Sequence, residues 1–187
     1  LRRELQIKEL NPTVRIRMLR GNVQTRIRKL KEGQYDAILL AAAGLERLGL
    51  DKEEEIRLEY LDTDSFLPAA GQGILAVEAK KGRFTEVLKS IHCEEAALEL
   101  EAERSFLAAI GGSCNAPAAG LCVPAAQSLK MKVLYAPEGT TELRKAEAIV
   151  DLTEAGSQEE KLSKAPVIIL GIAIVVVAAV IVYMLLK

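Results

Sequence analysis

Residues 14–42 read VRIRMLRGNVQTRIRKLKEGQYDAILLAA, and this stretch decides the fold class. Its hydrophobic pattern predicts a strand, a helix and a buried strand, over residues 14–19, 23–32 and 36–42. A brief helix, AGLERLG, follows at once. Strands and helices that alternate within about 35 residues indicate an α/β layer built on a parallel sheet.

The chain on either side of this stretch adds further elements. Apolar spacing predicts one strand at 74–79 and helices at 2–10, 84–91 and 94–110. The segment LPAAGQG is predicted to be a loop over residues 67–73. Later apolar runs and a PEGT turn predict a small antiparallel sheet, with strands at 118–123, 129–135 and 142–152. The polar residues 153–164 are predicted to form a linker.

Charge is unevenly distributed along the chain. The 187 residues carry a net charge of −1, yet residues 1–31 contain ten Lys or Arg against two Glu, a local charge of +8. Such an excess favours an anionic ligand bound at one place over a general attraction to nucleic acid. A solvated helix face explains the same charges and stays open at this point. With 27% charged residues, 13 Gly and 6 Pro, a wholly disordered or collagen-like chain is excluded.

The Arg20-Gly21-Asn22 junction is the first candidate site. Its glycine permits a sharp turn and its asparagine is a predicted N-cap, and the start of a helix binds anions through free N–H groups and a positive dipole end. Arg26 lies one turn further on, where its planar guanidinium can hold a carboxylate with two parallel hydrogen bonds. Arg2 and Arg3 are further candidates, although pairing with Glu4 is the simpler explanation for at least one of them.

The cysteines are the second source of chemistry. Three Cys without regular spacing argue against a disulfide framework and fit a reducing compartment. Cys114 lies in GGSCNAP, where neighbouring Gly residues leave the thiol accessible, although an unreactive loop thiol is the simpler alternative. Cys93 and Cys122 are predicted to be buried. A metal site and Cys-His catalysis are disfavoured, because His92 is the only His and no residue pair has ligand spacing.

Residues 165–186, APVIILGIAIVVVAAVIVYMLL, form an uncharged block that predicts a transmembrane helix. Twenty-two residues at a rise of 1.5 Å each span roughly 33 Å, which is sufficient for the core of a bilayer. Lys164 and Lys187 bracket the block. We therefore expect a cytoplasmic chain that this tail anchors to a membrane.

Three separated motifs, in order, resemble the porphobilinogen deaminase family, also called the hydroxymethylbilane synthases. They are LRGNVQTRIRKLKEGQYDAILLAAAGLERLGL, LPAAGQGILAVEA and ERSFLAAIGGSCNAPAAG, and the resemblance covers residues 1–152. It implies a transferase of tetrapyrrole (haem) biosynthesis that joins four porphobilinogen units head to tail and releases ammonia each time. The implied partners are porphobilinogen and the growing linear tetrapyrrole, and the implied cofactor is a dipyrromethane primer held to Cys114 by a thioether.

The resemblance also implies roles for particular side chains. It assigns primer binding to Cys114, Arg2, Arg3, Arg20 and Arg26. It assigns substrate binding to Arg20, Arg26, Arg47 and Gln72, the last in a hinge region between domains. The family's catalytic Asp is expected in an N-terminal half that this sequence does not include, so the catalytic residue is unassigned. Ala116 and Ala118 stand where the family usually has larger side chains.

The fold implied by the resemblance is α/β. A partial periplasmic-binding-protein-like domain is followed by a small α+β C-terminal domain and the transmembrane helix. The expected parts are the later half of domain two, the returning strand and helix of domain one, a truncated cofactor-carrying domain three, the linker and the hydrophobic helix, at 1–66, 67–91, 92–152, 153–164 and 165–186.

Three functional hypotheses remain. The first is a hydroxymethylbilane synthase-type enzyme, favoured by Cys114 and the Arg set. The second is a membrane-tethered module that binds anionic pyrroles without turnover, and the third is an inactive fragment. The absence of the family's N-terminal half favours the second and third.

Overall fold

Helices occupy the earlier part of the chain and strands the later part. The computed structural model describes residues 1–52, 55–111, 116–125 and 127–151. The helices within these ranges are α1 (Arg2–Leu10), α2 (Val23–Lys31), α3 (Ala42–Arg47), α4 (Thr85–Ile91) and α5 (Glu94–Ala109), with a 3-10 turn at Leu50–Lys52. The strands are β1 (Ala118–Ala125), β2 (Ser128–Tyr135) and β3 (Arg144–Asp151). The predicted mixture of helices and sheet is confirmed.

The chain divides into two compact units. The sheet unit consists of Leu1–Gln6 and the chain from Thr63 onward. The arginine-rich unit consists of Ile7–Asp62. In the latter, the predicted helices are present as α2 and α3, and each buries one apolar side chain, Ile27 and Leu45.

The sheet is antiparallel, in the order β1-β2-β3. Strand β1 pairs with β2 from Ala118 opposite Tyr135 to Ala125 opposite Ser128. Strand β3 pairs with the other edge of β2 along its full length. The predicted antiparallel sheet is therefore confirmed, because turn residues between consecutive apolar runs bring adjacent strands together.

Apolar side chains pack on both faces of this sheet, and successive side chains of each strand point to opposite faces. Helix α5 covers one face with Phe106, which is fully buried. On the other face Leu67 packs with Ala119 and Leu134, whereas Val123 and Ile149 are exposed. The loop 67–73 thus begins against the sheet, on the face opposite α5.

Three predicted strands are wrong within the part of the chain that the structure describes. None of the segments 14–19, 36–42 and 74–79 belongs to a hydrogen-bonded ladder. A strand needs a neighbour to accept and donate its backbone hydrogen bonds, and no described segment pairs with these three. The expected parallel sheet is therefore not formed among the described residues, and the α/β class holds only as a mixture of helices and sheet.

Two predicted segments, the linker 153–164 and the tail 165–186, lie outside the described residues. Of the helices that are described, none is long and apolar enough to cross a membrane. The division of the chain into parts of the family's domains stays a prediction.

Candidate functional site

The Arg20-Gly21-Asn22 junction has the geometry that the sequence predicted. The Asn22 side chain accepts a hydrogen bond from the Thr25 backbone N–H at 2.8 Å, so Asn22 is the N-cap of α2. Gly21 has a φ of 120°, and a Cβ there would lie 2.8 Å from the Thr25 side chain. Both the conformation and the close approach require glycine.

Cationic side chains fold back onto this junction. The Arg26 Nε donates a hydrogen bond to the Gly21 carbonyl at 2.8 Å, and the Lys29 Nζ donates to the Arg20 carbonyl at 3.3 Å. Arg20 itself is exposed, with its Nε 3.4 Å from the Met18 sulfur. The turn therefore concentrates positive charge beside the first N–H groups of α2.

A carboxylate ligand fits this donor set. The Asn22 side chain occupies the Thr25 N–H, but the first turn of α2 carries no acidic residue, so no carboxylate of that turn competes with an anionic ligand. Guanidinium forks and helix N-termini both bind carboxylates, and their effects add where they meet. The junction thus offers donors that suit a carboxylate ligand.

The remaining predicted arginines lie in different settings. Arg47 is exposed at the end of α3 in the arginine-rich unit. In the sheet unit, Arg2 is half-buried and donates from Nη1 to the Ala118 carbonyl at 3.4 Å. Burial, and then the neighbouring charge of Arg3, lower the pKa of Arg2 below its ordinary value. Arg2 therefore ties the start of α1 to the first residue of β1.

The predicted thiols differ from one another in exposure. Cys114 lies outside the described residues. Cys122 is buried in β1 as predicted, and burial, with smaller contributions from the charges of Glu103 and Glu99, raises its pKa to about 12. The prediction for Cys93 is wrong, because this residue is exposed at the N-cap position of α5. An N-cap residue lies before the helix proper, where its side chain need not face the core.

Two buried polar residues were missed by sequence reasoning. The Gln6 side chain, 1% exposed, donates to the Leu67 carbonyl at 3.0 Å and accepts from the Leu67 N–H at 2.7 Å. The Glu103 carboxylate, 4% exposed, accepts from the backbone N–H groups of Gly71 at 2.5 Å and Cys122 at 2.8 Å. Glu103 precedes the core residue Phe106 by one helical turn, and that spacing was the available signal.

Gln72 directly follows Gly71, one of the residues that Glu103 contacts. It is exposed in the turn of the loop 67–73, and its backbone N–H donates to the Ala69 carbonyl at 2.9 Å. The structure therefore defines an α/β protein that has a cationic helix N-terminus in one unit and, in the other, a loop held by buried polar side chains.

Comparison with known proteins identifies the family. A model described as "Porphobilinogen deaminase, dipyromethane cofactor binding domain" matches residues 1–87, and one described as "Porphobilinogen deaminase, C-terminal domain" matches residues 97–165. The chain belongs to the porphobilinogen deaminase family, as the three motifs predicted.

Three similar proteins from bacteria carry the name porphobilinogen deaminase. The one from Ruminiclostridium josui is 44% identical over 145 residues, which are 78% of this chain and 49% of the relative. The one from Roseiflexus castenholzii is 50% identical over 125 residues, 66% of this chain and 40% of the relative. The one from Oceanobacillus iheyensis is 39% identical over 165 residues, 87% of this chain and 53% of the relative. The chain thus spans about half the length of the curated relatives it matches.

Proposed function

We propose that this chain supplies the primer-binding and pyrrole-binding part of a hydroxymethylbilane synthase. Family membership supports the reaction class, which is the head-to-tail joining of porphobilinogen with release of ammonia. The observation that carries the proposal is the junction at the start of α2, where Arg26 bonds to the Gly21 carbonyl beside a helix N-terminus that has no acidic residue in its first turn.

The charge of the substrate explains why such a junction is useful. Each porphobilinogen unit brings two carboxylates, so a growing chain of pyrroles needs several cationic contacts. Arg20 and Arg26 would meet these carboxylates in the arginine-rich unit, together with Arg47. Arg forms paired hydrogen bonds with a carboxylate, which the point charge of Lys does not reproduce.

Cys114 is the proposed attachment point of the dipyrromethane. A thiolate is a strong nucleophile, and the bond from its sulfur to a pyrrole methylene forms as ammonia leaves with the thiol proton. The buried Cys122 is unsuited to this role because its pKa of about 12 keeps it protonated. When bound, the primer supplies the pyrrole end to which further units are joined.

Intact-protein mass spectrometry tests the attachment. The chain, purified from cells that make porphobilinogen, is expected to carry an added mass of two pyrrole units. Cys114→Ser is expected to abolish the addition, while Cys93→Ser and Cys122→Ser keep it. Loss of the addition from either control variant would place the primer elsewhere.

Affinity for porphobilinogen tests the junction separately. Arg26→Lys keeps the charge and removes the fork, so we expect binding to weaken by about 1–3 kcal/mol, measured by calorimetric titration. Arg28→Lys is the matched control, because Arg28 lies on the same helix with 69% of its side chain exposed and pairs with Glu32 at 3.7 Å. If Arg26→Lys and Arg28→Lys bind porphobilinogen with equal affinity, the result would indicate that Arg26 belongs to a solvated helix face.

The tail 165–186 is proposed to anchor the chain to a membrane. Its support is the sequence alone, since an uncharged run of 22 residues is long enough to span a bilayer. The family match ends at residue 165, where this run begins. A cytoplasmic location of the rest of the chain remains part of the same proposal.

A further inference from the structure

The loop 67–73 is held at two points by buried polar side chains. Gln6 from α1 makes both a donor and an acceptor contact with the backbone of Leu67, as a neighbouring strand would. Glu103 from α5 accepts the N–H of Gly71. The Pro68 carbonyl, between these points, accepts the N–H of Gly120 in β1 at 3.2 Å. The loop is therefore fastened to α1, α5 and β1.

The Glu103 carboxylate divides its two oxygens between two elements. Oε2 accepts from Gly71 in the loop, and Oε1 accepts from Cys122 in β1. Each N–H group thus has an acceptor oxygen of its own. Glu103 therefore acts as a bridge that joins the loop and the strand through one rigid group.

A buried carboxylate is a costly way to stabilise a core. Removing a carboxylate from water is unfavourable even when it accepts hydrogen bonds, and well-packed apolar residues often give equal or greater stability. Glu103 lies on α5 between Ala102 and Phe106, and both of these residues belong to the apolar core on this face of the sheet. What the carboxylate adds over an apolar side chain is a fixed geometry between the groups it joins.

These joined groups adjoin residues of the proposed site. Gly71 directly precedes Gln72, which is exposed in the loop. Helix α5 leads into the segment that contains Cys114, and β1 leads out of it. We propose that Glu103 is a positioning residue, which holds Gln72 in place by fixing the loop 67–73 to α5 and β1. This inference rests on the proposed pyrrole-binding function and adds a residue to it.

Hydrogen exchange measures the bridge directly. In Glu103→Gln an NH2 group, which only donates, replaces the oxygen that faces either the Gly71 or the Cys122 N–H, so we expect that amide to lose its acceptor. We expect exchange at the affected amide to accelerate at least tenfold in the full chain. Glu103→Asp, which keeps both oxygens but withdraws them by one methylene, is expected to accelerate it as well. Glu101→Gln is the control, because Glu101 is exposed on the same helix.

The location of the amides that exchange faster distinguishes a positioning role of Glu103 from a general loss of stability. Amides of β2 should keep their protection in both Glu103 variants, which also shows that the variants are folded. Unchanged exchange at both Gly71 and Cys122 would overturn the inference. Equal acceleration throughout β2 would overturn it too, since it would show that Glu103 only stabilises the core.

A double-mutant cycle tests whether Glu103 acts through Gln72. We expect Glu103→Gln and Gln72→Ala each to weaken porphobilinogen binding about tenfold, and the double variant to bind no worse than either one. If the two losses of affinity instead multiply in the double variant, Glu103 does not act through Gln72. If the unmodified chain binds no porphobilinogen, the proposed function fails, while the exchange measurements still decide whether the bridge exists.

Discussion

Two glycines of the sheet unit are expected to respond to alanine in opposite ways. Gly71 has a φ of +74°, and a Cβ there would lie 2.9 Å from the Leu100 Cδ1. Gly120 lies in β1, and a Cβ there would meet Phe106 and Val133 at 3.6 and 3.7 Å, which is ordinary contact. The same substitution thus introduces strain at one position and fills space at the other.

The backbone conformation at each glycine determines how much alanine changes the free energy of unfolding. Placing an L-residue in the left-handed region destabilises the folded state by about 1–2 kcal/mol. The smaller conformational entropy of the unfolded alanine chain offsets about 0.4–1 kcal/mol of this. Displacement of the Leu100 methyl group adds to the cost, so Gly71→Ala should lower the free energy of unfolding by about 1–2 kcal/mol. Gly120→Ala should raise it by about 0.5–1 kcal/mol, because glycine in a strand interior is destabilising relative to alanine.

Urea unfolding of the full chain, followed by circular dichroism, measures both changes. The difference between the two variants is expected to be about 2 kcal/mol, or roughly 30-fold in the unfolding constant, with similar denaturant slopes. If Gly71→Ala proves as stable as the unmodified chain, the left-handed turn at the loop is wrong. If Gly120→Ala loses more than about 1 kcal/mol, the packing between α5 and β1 is tighter than described.

Three further predictions concern thiols, pH and the tail. In the native chain at pH 8, iodoacetamide should label Cys93 rapidly, and Cys122 should react only after denaturation, as peptide mass spectrometry would show; rapid labelling of Cys122 would contradict its burial. Burial is the largest cause that raises the pKa of Glu103 above its ordinary 4.5. The contribution of this group to the free energy of unfolding is therefore fully present below pH 4.5 and is lost as pH rises through the pKa of the folded state. Urea unfolding should therefore show the unmodified chain losing stability relative to Glu103→Gln as pH rises from 4 to 7, whereas a constant difference would refute this. The full chain should resist carbonate extraction from membranes while a chain shortened to end at Ser163 is soluble, and a monodisperse full chain without detergent would rule out the anchor.

Elements defined by local signals were predictable from the sequence. The Asn22 cap, the helix that ends before Gly33 and the hairpin strands depend on neighbouring residues, and the structure has all of them. The segments 14–19 and 36–42 show the limit of this reasoning. Their composition favours extended backbone, but a strand also needs a partner strand. That partner is often distant in the chain, and the hydrophobic pattern of the segment does not identify it.

In the candidate site, too, the residues whose contacts are local were predictable and those with distant partners were not. The junction that contains Arg26 could be predicted because a turn, a cap and a cation one helical turn later lie within a few residues. Gln6 and Glu103 were missed because their partners are 61 and 32 residues away from them in the chain. A polar residue in a helix is usually solvated, so long-range burial of this kind has little local signature.

The contacts of α1 join residues that are far apart in the chain. Helix α5 and the three strands follow one another directly, so their contacts close short loops and can form early. Arg2 contacts Ala118, 116 residues later, and Gln6 contacts a residue 61 positions later. During synthesis from the N-terminus, the inward side of α1 therefore emerges long before the segments that cover it. We expect α1 to dock last, onto a sheet that is already assembled.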